Sequence, residues 1–357
     1  MIPYFAMIAI PSLFALAGVR RRGFVLLAVF LLLWVFVGLR FKVGTDWDGY
    51  VRIYGVTKLR PVIQLIFDRE PGSKLLMWVS YQVGGGLIMV NAVSALAFCW
   101  GVFAVAKRCV EPYIALVVAF PMLVVAFAMS ATRQSLAMGI IFYLFATWDK
   151  RTTLGRVALV FLATLFHFSS LFVLIFVALA ARMPLASRLV AAAFFGAIIG
   201  VVLILAPEAM NTYSDLYISG SRKLSAPGAW AQVGALAAAG LAYFVYRKPW
   251  LAVNGENQLY HNLAIAALLA VPMIYISSVG AYRFALFFWP MAMYVWAGLP
   301  ALMGRSEARL LYRIAVISAS TCLLWGWLTF ANNAAGWLPY QNWLLQPEGV
   351  SLWRTHD

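Results

Sequence analysis

A few ionisable side chains stand out in a chain that is 64% hydrophobic and only 11% charged. Arg40, Asp46 and Tyr50 fall in "GLRFKVGTDWDGYVRIY", directly after an apolar run. Glu70 falls in "DREPGSK", Arg133 and Gln134 in "MSATRQSLAMG", His167 in "LFHFSSLF", and Arg283 in "SSVGAYRFALFFWP". These types suit one kind of chemistry. The planar arginine fork stays charged and matches phosphate oxygens two at a time. A carboxylate or imidazole can take a proton from a hydroxyl. Several arginines with one or two such bases therefore fit the transfer of a group from a diphosphate to a hydroxyl.

Each residue also has a plainer reading. Asp46 can cap a helix over Trp47–Tyr54, accepting backbone N–H groups. Trp47, Tyr50, Val51 and Tyr54 would then form one amphipathic face on the membrane surface. Glu70 before Pro-Gly can mark a helix start, because Pro suits the first turn. Arg133 and Arg283 each open an apolar run and can snorkel to the interface. His167 can be a hydrogen-bonded core residue. The aromatic stretch "GWLPYQNWL" at 336–344 resembles an interfacial belt. "DWD" at Asp46–Asp48 has the spacing of a metal-binding pair, but arginines beside a diphosphate supply its countercharge, so no metal is expected. Three scattered cysteines, Cys99, Cys109 and Cys322, support neither a disulfide framework nor a zinc site.

The elements that must position these residues are membrane spans. Soluble proteins carry about 25% charged residues. Apolar runs recur here at the length that crosses a ~30 Å hydrocarbon core. We place spans near 3–19, 23–39, 87–106, 112–129, 134–148, 189–206, 229–246, 259–277, 283–302 and 310–329. The apolar start lacks a basic residue before it and a small-residue cleavage site after it, so it reads as a retained first span. Basic clusters at Arg20–Arg22, Lys107–Arg108, Lys150–Arg151 with Arg156, Arg182 with Arg188, Arg247–Lys248, and Arg305/Arg309/Arg313 fall on one side, which is the cytoplasmic one. Leu75–Val83 is too short to cross and is cut from the next helix by Gly84–Gly86. It reads as an interfacial or dipping helix. Val157–Ala181 reads as two half-helices that bend near "HFSS" and return. The expected fold is an all-α polytopic membrane protein in a single domain, 1–357. It has about 10 transmembrane helices, short re-entrant or interfacial helices, and a site facing the outer leaflet. Loops 40–74 and 207–227 and tail 331–357 lie outside. Loop 40–74 carries seven Lys/Arg against the sorting rule, so another role keeps them there. The net charge of +15 is otherwise that of membrane-flanking residues. Without a basic, aromatic-interleaved soluble domain, nucleic-acid binding is excluded.

Read in order, "GLRFKVGTDWDGY", "EPGSKLL", "ATRQSLAMGIIFYLF", "HFSS", "YRFALFF" and "LPYQNWL" resemble the EpsG-like exopolysaccharide polymerases, which are Wzy-type enzymes. The resemblance covers nearly the whole chain. It rests most on Arg40, Gly44, Asp46 and Tyr50, and on Arg133–Gln134; "SVGAYRF" departs from the usual wording around Arg283. It implies a glycosyltransferase in the bacterial cytoplasmic membrane, active on the periplasmic or extracellular face. Such an enzyme joins oligosaccharide repeat units carried on undecaprenyl diphosphate, and that lipid leaves as a sugar hydroxyl attacks. No cofactor is implied. The flippase and chain-length regulator of the same pathway are the implied partners. In this picture Arg40, Arg133 and Arg283 hold the diphosphate, with Gln134 beside them. Asp46 or Glu70 activates the acceptor hydroxyl, with His167 as the rival base. Trp47, Tyr50 and Tyr340 stack on sugar rings. The alternatives are an O-antigen-ligase-like transferase using the same groups, or a lipid-linked glycan transporter. A transporter would show polar residues through its bundle and broken helices at the midplane.

Overall fold

The computed structural model describes residues 1–19, 23–181, 183–204 and 228–345. Arg20–Arg22, Arg182, loop 207–227 and the tail beyond 345 lie outside the described residues. The described chain is helical, with one isolated antiparallel bridge, Arg40 to Asn342, and no strand.

Helices α1 (Ile2–Leu16), α2 (Gly23–Gly38) and α6 (Gly86–Ala106) are almost wholly apolar, as membrane or core helices must be. Among the described residues four segments are long and apolar enough to cross a membrane: Gly86–Ala106, Gln258–Ile276, Ser278–Leu302 and Ser306–Phe330. A fifth passes if α12 (Ala229–Val245) and α13 (Arg247–Asn254), bent by 80° at their junction, form one span. Ile2–Leu16, Gly23–Gly38 and Pro112–Ala128 are apolar but shorter, at 10–17 residues. The chain is thus a multi-pass membrane protein.

The centre of the bundle is the pair α6 and α8 (Thr132–Ala146). Two glycines set how closely they approach. A Cβ on Gly101 would fall 2.2 Å from the carbonyl oxygen of Gly139, and one on Gly139 would fall 2.2 Å from that of Ala97. Only hydrogen fits there, as at small-residue helix crossings in membranes. Helix α2 packs on α6, and α7 (Pro112–Ala119) packs on α1 and on α16 (Trp289–Gly298). From Phe120 to Ala128, α7 continues as a π-helix. This rare geometry recurs at functional sites. The Val125 carbonyl here accepts the indole N–H of Trp337 at 2.8 Å.

Two elements follow the sequence reading closely. Helix α5 (Pro71–Gln82) is short and ends at Gly84 and Gly86, both with positive φ, so the chain turns sharply into α6. The 157–181 region breaks at Leu165–His167, where His167 is extended (φ −155°, ψ 121°). Helices α9 (Thr153–Thr164) and α10 (Val173–Leu179) on either side pack against each other, as two halves of a hairpin would.

The two ends of the bundle differ in character. At one end Lys107, Arg108 and Lys150 gather near Gly23, and Arg309 and Arg313 gather near Gly18 and Glu111. Helix α13 packs there on Leu299–Leu302. Of the basic clusters expected on one side, Lys107–Arg108 and Lys150 line one groove and Arg309 and Arg313 another, where Arg313 binds both oxygens of Glu111 at 2.6 and 2.9 Å. The opposite end holds the residues singled out for chemistry.

Candidate functional site

The loop after α2 is fixed first. Gly44 has φ +103°, and a Cβ there would meet the Met129 carbonyl oxygen at 2.0 Å. Its N–H donates to the Gly336 carbonyl at 2.7 Å, and Thr45 and Ser130 share a hydroxyl hydrogen bond of 2.8 Å. Backbone bonds from Phe41 to Gln341 and from Trp343 to Leu39 bring the tail against this loop. Loop, tail and the start of α8 therefore form one polar floor.

Arg40 is buried in that floor, at 2% exposure. Its guanidinium donates to the Val37 carbonyl (2.7 Å) and to the Thr132 hydroxyl (2.8 Å), and that hydroxyl donates on to Asn91 (2.9 Å). Burial lowers its pKa to about 10, while Tyr50, Tyr340, Tyr4 and Asp46 act to hold its charge. Arg40, expected at a diphosphate, here ties the loop to α8 and α6. Tyr340, expected to stack on a sugar, places one ring face on Phe36 (4.5 Å, 14°) and donates its hydroxyl to the Phe36 carbonyl, which ties the tail to α2.

Helix α3 (Trp47–Thr57) begins at Asp46, but the Asp46 carboxylate makes no capping bond. The residue sits at φ −90°, ψ 2°, away from the extended backbone a capping residue normally has. Its side chain is exposed and lines a cavity instead. Tyr50 and Tyr54 are buried against Met77, Leu87 and Val90, with Trp47 beside them and Val51 exposed. The expected membrane-facing stripe is therefore mostly a protein-packing face. Trp47 packs edge-on against Phe41 at 5.5 Å. The buried Tyr50 hydroxyl accepts the Arg133 backbone N–H at 3.2 Å.

Glu70 organises the second part of the site. It precedes Pro71 at the start of α5, as its sequence suggests, but with φ +56°, a left-handed backbone that costs a non-glycine residue energy. Its side chain does not cap the helix. Oε2 accepts Arg133 Nη1 at 2.5 Å; Oε1 lies 2.7 Å from His167 Nδ1 and accepts the Phe168 N–H at 3.1 Å. The break at Leu165–His167 frees the Phe168 N–H from a helical partner and supplies this donor. The Gly72 N–H bonds the Leu165 carbonyl at 2.8 Å, docking α5 on the same break. Burial of Glu70 raises its carboxyl pKa, but the hydrogen bond and charge of His167, the charge of Arg133 and the Phe168 N–H outweigh it and hold it at about 2.

Arg133 and Gln134 are successive on α8, so their side chains diverge by about 100°. Arg133 turns to Glu70 and lies over the Tyr50 ring. Gln134 turns to a cavity of about 660 Å³. This cavity has a polar side with Thr45, Asp46, Ser130, Gln134, Tyr282, Arg283, Asn332 and Asn333, and an apolar side with Met122, Ala126, Phe127, Leu323, Trp327 and Phe330. Asp46 is close enough to Arg133, Arg40, Tyr50 and Tyr282 to act on each electrostatically. It links the cavity to the Glu70 cluster. Arg283 reaches the wall from α15 (Ser278–Ala285), whose neighbour Tyr282 offers its carbonyl to Gln232 of α12 at 2.7 Å.

Asp46, Gln134 and Arg283 thus share a cavity, and Glu70, Arg133 and His167 share a cluster beside it. Thr132, Asn91, Thr45, Ser130 and Trp337 were not foreseen. Only Asn91 carried a signal, as a polar residue within the apolar run "LIMVNAVSALAF". Among the described residues no three His, Cys, Asp or Glu side chains gather as a metal site would require. Comparison with curated proteins and with solved structures yields no match. The model of the EpsG family matches residues 23–342, so the chain belongs to the EpsG family.

Proposed function

We propose that this protein is a polysaccharide polymerase that joins lipid-diphosphate-linked oligosaccharide units on the outer face of the bacterial cytoplasmic membrane. The family supports a polymerase of the glycosyltransferase kind acting on a lipid-linked oligosaccharide. The reading takes about ten helices as spans, including the shorter apolar ones, within a single domain. The α9–α10 hairpin dips from the cytoplasmic side, and the polar end faces the outer leaflet. Several cations with one base at the rim of an amphipathic cavity suit a substrate with a sugar, a diphosphate and a polyprenyl tail.

The observation that carries the mechanism is the shared carboxylate of Glu70, which holds Arg133 and His167 together. A carboxyl held near 2 is a weak base at neutral pH. Glu70 is therefore a positioning residue. It fixes the His167 ring through Nδ1 and leaves Nε2 to take the proton of the acceptor hydroxyl. As that oxygen bonds to the anomeric carbon of the donor glycan, the bond from that carbon to the diphosphate oxygen breaks. Arg283, with Arg133, stabilises the charge on the leaving group. Asp46 and Gln134 orient the acceptor sugar across the cavity. The cations supply the countercharge, and no metal is used.

The deciding experiment is reconstitution in detergent with purified lipid-linked repeat units. Elongation by the wild type that is lost in His167→Gln and kept in Asp46→Asn supports the assignment. Elongation by His167→Gln at the wild-type rate removes His167 as base. Attachment of only one preformed chain identifies a ligase. No elongation, with transbilayer movement of the glycan in vesicles, identifies a transporter.

A further inference from the structure

The end of the bundle remote from this site carries a second feature. Helices α2, α6 and α8 border a groove of about 310 Å³. Its walls are Leu26, Leu27, Phe30 and Trp100, and its rim carries Lys107 and Lys150. Leu27 is 54% exposed and Trp100 59% exposed, so large apolar surface faces outward just below cationic side chains. Arg108, also on the rim, pairs with Asp149 at 3.3 Å. Lys107 and Lys150 have no carboxylate within ion-pair distance among the described residues, which leaves the rim cationic.

The dimensions fit one class of molecule. Trp100 precedes Lys107 by seven residues, about 10 Å along the helix. That is the depth of the upper acyl segment below a head group. Twenty-one residues of α6 span about 31 Å, close to the ~30 Å hydrocarbon core. The groove therefore opens to the leaflet opposite the candidate site. A peptide helix would bury only the apolar wall. A soluble anion would use only the rim. An anionic phospholipid uses both, and its phosphate complements the two lysines.

We propose that the α2–α6–α8 groove binds one anionic phospholipid, its acyl chain against Leu27 and Trp100 and its phosphate between Lys107 and Lys150. The protein holds this lipid in preference to a zwitterionic one with the same chains. Each cation near such a head group is worth about fivefold in affinity, so losing both costs roughly 25-fold.

The test is native mass spectrometry of the full-length protein released from detergent with phosphatidylglycerol or phosphatidylcholine of matched chains. The wild type is expected to retain one phosphatidylglycerol in preference to phosphatidylcholine. K107Q/K150Q should bind phosphatidylglycerol about 25-fold more weakly, with phosphatidylcholine unchanged. The single variants should each lose about fivefold, which keeps the test decisive if the double variant folds poorly. L27W, which fills the groove without changing charge, should weaken phosphatidylglycerol binding too. Equal retention of the two lipids, or K107Q/K150Q binding phosphatidylglycerol like the wild type, overturns the proposal. Displacement of the lipid by inorganic phosphate alone would reduce the site to an anion rim and overturn it as well.

Discussion

Glu70→Gln tests the site most directly. Three donors converge on two carboxylate oxygens: Arg133 at one, His167 and the Phe168 N–H at the other. A Gln has one oxygen. Its better orientation keeps the His167 and Phe168 side satisfied and turns an amide N–H₂ toward Arg133. Arg133 then loses a charge-assisted bond of about 1.5–3 kcal/mol and is left partly buried without its carboxylate, for a total of about 2–4 kcal/mol. If that energy positions the reacting groups, elongation falls about 30-fold to about 1,000-fold. The assay is chain growth from purified lipid-linked repeat units, followed on gels from about pH 5 to pH 9. Because Glu70 is held at about 2, it is ionised over this whole window. The variant should therefore lose rate across the whole window, with no added loss from titration of Glu70 itself. The stability side has a definite sign. A carboxyl lowered from 4.5 to about 2 contributes order 3 kcal/mol, fully present above pH 4.5 and lost as pH falls toward 2. Wild-type stability should fall through that acid range, and Glu70→Gln should be flatter there. A variant that elongates at the wild-type rate would refute the positioning role. A uniform loss explained by lower protein yield would refute it too.

Four further outcomes follow from the same geometry. Arg283→Ala should raise KM for the lipid-linked donor at least tenfold, whereas Arg133→Lys should mainly lower kcat, because an ammonium cannot reproduce the guanidinium contacts to Glu70 and the Tyr50 ring. Arg40→Met should act on stability: the Thr132–Asn91 chain loses its donor, and thermal unfolding in detergent should show a loss of about 1–3 kcal/mol, with the surviving protein still binding donor. Gly139→Ala should force α6 and α8 apart, since its Cβ would sit 2.2 Å from the Ala97 carbonyl oxygen, and should lower folded yield more than Gly234→Ala, where that Cβ meets open space.

The helices were legible because an apolar run of span length has few other outcomes, and every expected span coincides with a helix in its described part. The break at His167 was legible because "HFSS" interrupts a run that is otherwise apolar. Which face a polar residue takes was not. Arg40 and Arg133 look alike as arginines at the edge of apolar runs, yet one is enclosed by Val37 and Thr132 and the other meets Glu70. Hydropathy carries no term for a hydroxyl waiting across the bundle. Glu70 was equally ambiguous, because helix starts tolerate Glu before Pro; its left-handed backbone and three donors come from α8 and the α9–α10 break, far away in sequence.

This ambiguity changes the electrostatics of the proposed reaction. Three arginines on a diphosphate would need little else. With Arg40 spent on the fold and Arg133 shared with Glu70, Arg283 is the principal cation facing the cavity. In the proposed reaction two charged bonds of about 1.5–3 kcal/mol each would stabilise the leaving group, well short of the ~8 kcal/mol or more that enzymes typically supply. The remainder must come from orientation and proton transfer. That is why the carboxylate joining His167 to Arg133, and the rigid floor tying loop, tail and α8 together, matter more to this site than its count of positive charges.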